Sequence, residues 1–166
     1  MKRIFTALLF LLVMISAKAQ MYKHSVGVRA GYSHTVTLKY FYNDQEAVEL
    51  MAGERNGGLQ ITGLYQFNRP MKLAITDMLY AYYGAGIHVG YELFPVANDN
   101  TAVNNIFTNN RPLFVMGVNT ILGVEYRWLA IPITIGLDVK PYFQMVDMRY
   151  GDTKFWDVGA SVKYVF

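Results

Sequence analysis

The sequence predicts an all-β fold: a closed, eight-stranded, antiparallel up-and-down transmembrane β-barrel. Three observations predict it. The chain opens with the pattern of an export signal. The rest alternates apolar and polar residues in short runs between turn signals. The polar side of those runs is crowded with glycine.

The 166 residues are enough for one domain. Met1-Lys2-Arg3 precedes an apolar run from Ile4 to Ile15, and Ser16-Ala17-Lys18-Ala19 follows. A basic start, a short apolar stretch and an Ala-x-Ala end are the parts of a secretory signal peptide. A spanning helix needs about 20 apolar residues, and this run has 12. Residues 1–19 are therefore expected to be a signal peptide and residues 20–166 the barrel domain. Without Lys2, Arg3 and Lys18, Lys+Arg falls from 15 to 12 against 12 Asp+Glu. The formal charge of +3 thus resides in the export signal, and no Lys/Arg cluster remains to suggest a nucleic-acid-binding face.

There is no cysteine, so stability must come from hydrogen bonding and burial rather than disulfides. Tyr, Phe and Trp number 13, 10 and 2, and charged residues make up only 16%. No stretch of 18 apolar residues follows the signal. In lipid every backbone polar group needs an internal partner, which only helices and closed barrels supply. An apolar exported chain with no spanning helix points to a barrel.

Eight strands are expected, in order. In the first, Val26, Val28, Ala30 and Tyr32 oppose Ser25, Gly27, Arg29 and Gly31. In the second, Val36, Leu38, Tyr40 and Tyr42 oppose Thr35, Thr37 and Lys39. The third sets Val48, Leu50 and Ala52 against Glu49 and Arg55. The fourth sets Leu59, Ile61, Tyr65 and Phe67 against Gln60, Thr62 and Gln66. The fifth sets Tyr83, Ala85, Ile87, Val89 and Tyr91 against Gly84, Gly86, His88 and Gly90. The sixth sets Val118, Thr120, Leu122, Val124 and Tyr126 against Gly117, Asn119, Gly123, Glu125 and Arg127. The seventh sets Ile131, Ile133, Ile135, Leu137 and Val139 against Thr134, Gly136, Asp138 and Lys140. In the last, Trp156, Val158, Ala160, Val162, Tyr164 and Phe166 oppose Phe155, Asp157, Gly159, Ser161, Lys163 and Val165.

Alternation alone does not say which face is inside. Glycines on the polar face suit the crowded interior of a narrow barrel and make poor solvent-facing strand residues. Aromatics on the apolar face fall near strand ends, as in the girdles of membrane barrels. Tyr42, Phe67, Tyr83, Tyr126 and Tyr164 sort to the level of the termini, and Tyr32, Tyr91, Phe143 and Trp156 to the opposite level. The polar face is therefore placed inside.

With both termini in the periplasm, 43–46 and 128–130 are short inner turns. Ser33-His34 and Asn56-Gly57 are tight outer hairpins, and 93–112 is a long Asn-rich outer loop. Residues 68–81 form a longer inner connection with room for a short helix. Pro141 cannot donate to a ladder, so it is expected to mark a bulge or the outer end of the seventh strand.

Asp157-x-Gly159-x-x-Val162-x-Tyr164, closing with Phe166, resembles the terminal-strand signal of outer-membrane barrels. Tyr82-Tyr83-Gly84-Ala85-Gly86-x-His88-x-Gly90 and Ile121-x-Gly123-x-Glu125-Tyr126 have the same character. Over residues 22–166 the chain resembles the small OmpA/OmpX-type outer-membrane β-barrel family. The resemblance implies a place in the outer membrane, in contact with its lipids and lipopolysaccharide. It also implies that Gly159, Val162, Tyr164 and Phe166 are read by the barrel assembly machinery. It brings no catalytic residue, because members of such families differ in role.

The candidate site is the interior. Arg29, Lys39, Arg55, Arg127, Lys140 and Lys163 are expected to point inward with Glu49, Glu92, Glu125, Asp138, Asp157 and His88. An eight-stranded lumen is just wide enough for side chains to fill, and buried ions must pair, so an interior ion-pair network is expected. No cofactor is expected. Three dispersed histidines without cysteine show no metal-ligand spacing. A membrane scaffold is expected, with 93–113 and 144–154 as contact loops for extracellular or periplasmic proteins and Trp128 and Phe166 as interfacial anchors. Three other readings remain: a lipid A-modifying enzyme built on His34, Ser33 and Asp152 or Asp157, a narrow solute pore, and a soluble lipocalin-like binder.

Overall fold

The computed structural model describes residues 23–73, 76–95, 110–128, 131–148 and 150–166. The expected signal peptide lies outside them. Ten segments follow: β1 (His24–Gly31), β2 (His34–Phe41), β3 (Glu46–Arg55), β4 (Gly58–Pro70), β5 (Leu79–Pro95), β6 (Asn110–Arg127), β7 (Ile133–Val139), β8 (Tyr142–Val146), β9 (Tyr150–Lys154) and β10 (Val158–Val165). Each of β1 to β6 pairs antiparallel with the next, and β10 pairs with both β7 and β1, so the sheet closes on itself. Segment β8 continues the line of β7 along β6, and β9 continues the line of β10 along β8. The ten segments are thus eight strands of a closed antiparallel barrel. Among the described residues there is no helix.

The alternation read from the sequence becomes the two faces of the wall. In β2 and β10 buried and exposed residues alternate almost without a break. The faces are inverted relative to a water-soluble barrel. Outward residues are large and apolar, with Ile87 69% and Leu137 59% exposed, whereas Arg29, Lys39, Glu49, Arg55, Glu92, Lys140 and Asp157 are buried.

The two tight hairpins lie at the rim away from the termini. Tyr32 and Ser33, one residue earlier than the expected Ser33-His34, join β1 to β2, and His34 opens the second strand. Asn56 and Gly57 join β3 to β4 with φ of 46° and 73°. Two successive left-handed residues make the turn whose twist matches a right-twisted hairpin, and Asn-Gly is the dipeptide that adopts it most readily.

Other connections differ from expectation. The strands run on through the 68–81 connection as far as Pro70 and resume at Leu79. Leu73 and Thr76 form an isolated bridge where a short helix was expected. The 93–113 loop is shorter at both ends, because β5 reaches Pro95 and β6 starts at Asn110; residues 96–109 lie outside the described residues. The 144–154 loop is mostly the hairpin β8–β9, in which Val146 faces Tyr150. Asp147 and Met148 turn it with positive φ, and the Asp147 N–H donates to the Phe114 carbonyl at 2.9 Å.

Pro141 lies in the two-residue gap between the end of β7 and the start of β8, opposite a bulge, and its own side keeps register. Leu122 faces Val139 and Asn119 faces Tyr142, so the register along β6 is unbroken across the proline. Thr120 still donates to the Pro141 carbonyl at 2.9 Å. The bulge lies on the neighbouring strand. Between the pairs Val139–Val158 and Tyr142–Lys154, two residues on one strand oppose three on the other. The extra residue in 155–157 reverses the alternation there. Phe155, expected on the inner face, is consequently 69% exposed beside an exposed Trp156, while Asp157 points inward and is buried.

Candidate functional site

The inward side chains form two polar clusters. In the cluster away from the termini, Arg29 is the hub. Its Nε and Nη2 donate to Asp138 Oδ1 at 2.9 and 2.7 Å, and its Nη1 donates to Asp157 Oδ1 at 3.1 Å. Nη1 also reaches Ser33 Oγ at 3.0 Å, and Nη2 the Asp157 carbonyl at 3.0 Å. Asp157 reaches this position in phase with Gly159, Ser161 and Lys163 of the same strand. Its carboxylate also lies 3.8 Å from Arg55 Nη2 and 3.7 Å from Lys140 Nζ.

Arg55 donates to Gln60 Oε1 at 3.0 Å, lies 3.7 Å from Glu92 and stacks 3.6 Å over the Tyr142 ring. Glu92 accepts from Asn56 Nδ2 at 2.6 Å and from Gln144 Nε2 at 3.4 Å. His88 is edge-on to Tyr142, with Nδ1 against Asn119 Oδ1.

The second cluster lies towards the termini. Lys163 Nζ donates to Glu49 Oε1 at 2.6 Å, and Gln66 donates to the other Glu49 oxygen at 2.5 Å. Lys39 donates to Asn68 Oδ1 at 2.9 Å and lies 3.9 Å from Glu125. Arg127 Nε donates to Glu125 at 2.9 Å, and its guanidinium stacks 3.8 Å over Tyr80. Arg127 is the one member of the expected set that is not fully buried, its side chain being 13% exposed.

The structure therefore brings eleven of the twelve expected interior residues into ion pairs and sets the twelfth, His88, against amides and a ring. Sequence reasoning placed Gln60, Gln66 and Asn119 on the inner face without counting them in the network, and it missed the neutral partners Ser33, Asn56, Asn68, Tyr142 and Gln144. It also missed Tyr82, whose hydroxyl donates to Asp138 Oδ2 at 3.1 Å and joins the clusters. Tyr82 is in phase with Gly84, Gly86 and His88, so extending the fifth strand by one inward position identifies it.

The His34 constellation is not assembled. Ser33 turns inward, buried, and donates to Asp157 Oδ2 at 3.2 Å, while His34 is exposed on the outer face. Neighbours on a strand point to opposite faces, so His34 does not reach that hydroxyl, which the Asp157 carboxylate holds together with Arg29. Among the described residues no cluster of His, Asp and Glu has the arrangement of a metal site.

On the outer face, rings meet around the terminal rim. Tyr164 stacks with Phe166, Phe166 with His24, and His24 meets Tyr40, which meets Tyr42. Tyr65, Phe67 and Tyr83 form a second run and Tyr126 with Trp128 a third. At the other rim Tyr32, Tyr91, Phe143 and Trp156 are exposed, and the Tyr32 hydroxyl donates to Asn56 at 3.0 Å. In the terminal strand Val162 and Tyr164 face outward and Gly159 inward.

No family model and no curated protein matches the chain. Among solved structures it is similar to the N-terminal β-barrel domain of OprF from Pseudomonas aeruginosa, with a TM-score of 0.53 and 13% identity over 86% of this chain and 95% of that one. The likeness supports an OmpA-like barrel fold, and at this identity it carries the fold alone.

Proposed function

We propose that the chain is an integral outer-membrane β-barrel, non-enzymatic, serving as a structural or surface-interaction scaffold. The observation that carries this reading is the inversion of the wall: charge inside a closed barrel, a continuous apolar surface outside. Water would penalise that surface and lipid would not. In this reading the aromatic rings lie at the two interfaces, and membrane lipids and lipopolysaccharide are the wall's neighbours. The hairpins at Tyr32–Ser33, Asn56–Gly57 and β8–β9 face outward as contact surfaces on a rigid frame. Gly159, Val162, Tyr164 and Phe166 serve as the signal for the assembly machinery. The separation of Ser33 from His34 weighs against the lipid A-modifying alternative, and the outward apolar face against a soluble binder.

The test is gel mobility in SDS of detergent-folded protein, unheated and boiled, with flotation on liposomes. A closed ladder without edges resists SDS until heated, so a shift on boiling and flotation are expected. A protein that stays in plain buffer and shows no shift would overturn the reading.

A further inference from the structure

The outer wall is not smooth. A groove of about 420 Å³ crosses it from Met71 and Ala81 to Val158. Two cross-strand rows bound it. Ala81, Val124 and Leu137 pair in succession across β5, β6 and β7, and Leu122, Val139 and Val158 do the same across β6, β7 and β10. Leu122 and Leu137, each 59% exposed, stand up as its opposite walls. Gly123 and Asp138 pair between the rows. Asp138 turns its side chain to the lumen and Gly123 has none, so the floor is backbone.

The groove climbs the wall. Ala81 lies near the terminal-side end of β5, whereas Val158 opens β10 at the opposite rim. The rows follow the inter-strand hydrogen bonds, and in a barrel of tilted strands that direction is oblique to the membrane plane. The low mouth is cationic. Arg69 continues the first row, opposite Ala81, and is exposed. Lys72, also exposed, follows Met71. Arg69 donates to Gln45 and, among the described residues, forms no ion pair. The same connection carries one acid, Asp77. At the high end the exposed residues next along the chain are the aromatic Phe155 and Trp156.

We propose that this groove binds one acyl chain of a glycerophospholipid from the leaflet at the terminal rim, with the lipid phosphate held by Arg69 and Lys72. The proposal rests on the reading of the wall as membrane-embedded. Lipid tails are as apolar as the wall, so hydrophobicity does not select a site between them. Close packing does, and a chain lying between two rows is touched on three sides. The cations then fix which end of the groove takes the headgroup, and favour an anionic one.

The test is native mass spectrometry of the protein folded in detergent and titrated with phosphatidylglycerol, each variant first shown to be folded by its boiling-dependent gel shift. The wild type is expected to retain one phosphatidylglycerol. Arg69→Gln with Lys72→Gln should weaken retention by roughly fivefold per cation. Ala81→Trp and Val139→Trp fill the groove and should each abolish retention; Val139→Trp decides alone if Ala81→Trp does not fold. Val28→Trp, an exposed wall position outside the groove, should retain the lipid as the wild type does. A wild type that retains no more than the folded groove-filling variants would overturn the site, and so would equal loss in Val28→Trp. Unchanged retention in the Arg69, Lys72 double variant would overturn the phosphate contact. Lipid A retained in preference to phosphatidylglycerol would overturn the choice of leaflet, and a dimer broken by the groove-filling variants would give the groove to a second copy instead. Failure of the wild type to enter liposomes would overturn the membrane reading, and the lipid site with it.

Discussion

The guanidinium of Arg29 packs directly on Gly159, so closely that a Cβ at 159 would overlap Arg29 Nε, Cζ and Nη2. The glycine read from the sequence as part of a terminal-strand signal thus also makes the space that the interior hub occupies. Gly159→Ala should displace Arg29 from Asp138 and Asp157 and destabilise the barrel by about 1–3 kcal/mol, the cost of overpacking a filled site. Urea unfolding in liposomes measures it, and an unchanged midpoint would show that the hub shifts freely. Pairing this variant with Arg29→Met separates the two roles: a loss of assembly that persists in the double variant belongs to the signal.

Lys163 and Glu49 form a short ion pair in the lumen, at 2.6 Å with both side chains buried. Removing one partner strands the other. Lys163→Met alone is expected to cost about 3–5 kcal/mol, and Lys163→Met with Glu49→Leu much less, because the second change removes the stranded charge. A double-mutant cycle in urea checks this; equal losses for the single and double variants would contradict it.

Because these charges lie inside the wall, salt should screen them little. Raising ionic strength from a dilute buffer to about 1 M KCl is expected to leave the unfolding midpoint of the wild type nearly unchanged, whereas surface pairs would be screened at that concentration. A large drop on adding salt would mean that electrolyte reaches the clusters.

Leu137 is among the most exposed apolar residues of the wall. In a water-soluble barrel Leu137→Arg would be nearly silent. In a bilayer it should cost about 2–4 kcal/mol if it lies near the midplane. Comparing unfolding in liposomes with a control at Glu54, an exposed charge near the far hairpin, gives the contrast.

Gly57 sits at φ 73° in the β3–β4 turn. Gly57→Val should destabilise by about 1–2 kcal/mol, the penalty of a left-handed conformation for a residue with a Cβ. Heat-modifiability at graded temperatures registers it as a lower transition, and no change would mean that the turn has switched type.

The order and direction of all eight strands were legible in the sequence because each crosses a two-faced wall, and period-two alternation is what such a wall requires. What lay beyond the two-faced zone was not. Above Glu92 and below Phe114 the strands continue through Leu93, Phe94 and Leu113, where both faces carry apolar residues and the period disappears. Pro141 marks the break between β7 and β8, as a missing donor should, but the sequence does not say that the extra residue of the bulge belongs to the neighbouring strand. The bulge is invisible because Phe155 and Trp156 are both aromatic, so nothing in their order betrays a change of phase. Within the lumen the charges stood out, being costly to bury anywhere else. Asn68 and Gln144 did not, since an amide fits a rim or a turn equally well.

The pairing of β1 with β10 joins Ser25 to Val165, two residues from opposite ends of the described chain. No shorter stretch of sequence can complete the cylinder. The contact that seals it has the largest loop to close and the latest partner to arrive, so topology makes sealing the slow event of maturation. Until then β1 and β7 each carry an open row of donors and acceptors able to bind any extended chain. A polypeptide built this way has to be shielded through its whole synthesis, and its acquisition of form is a single late commitment rather than a gradual growth.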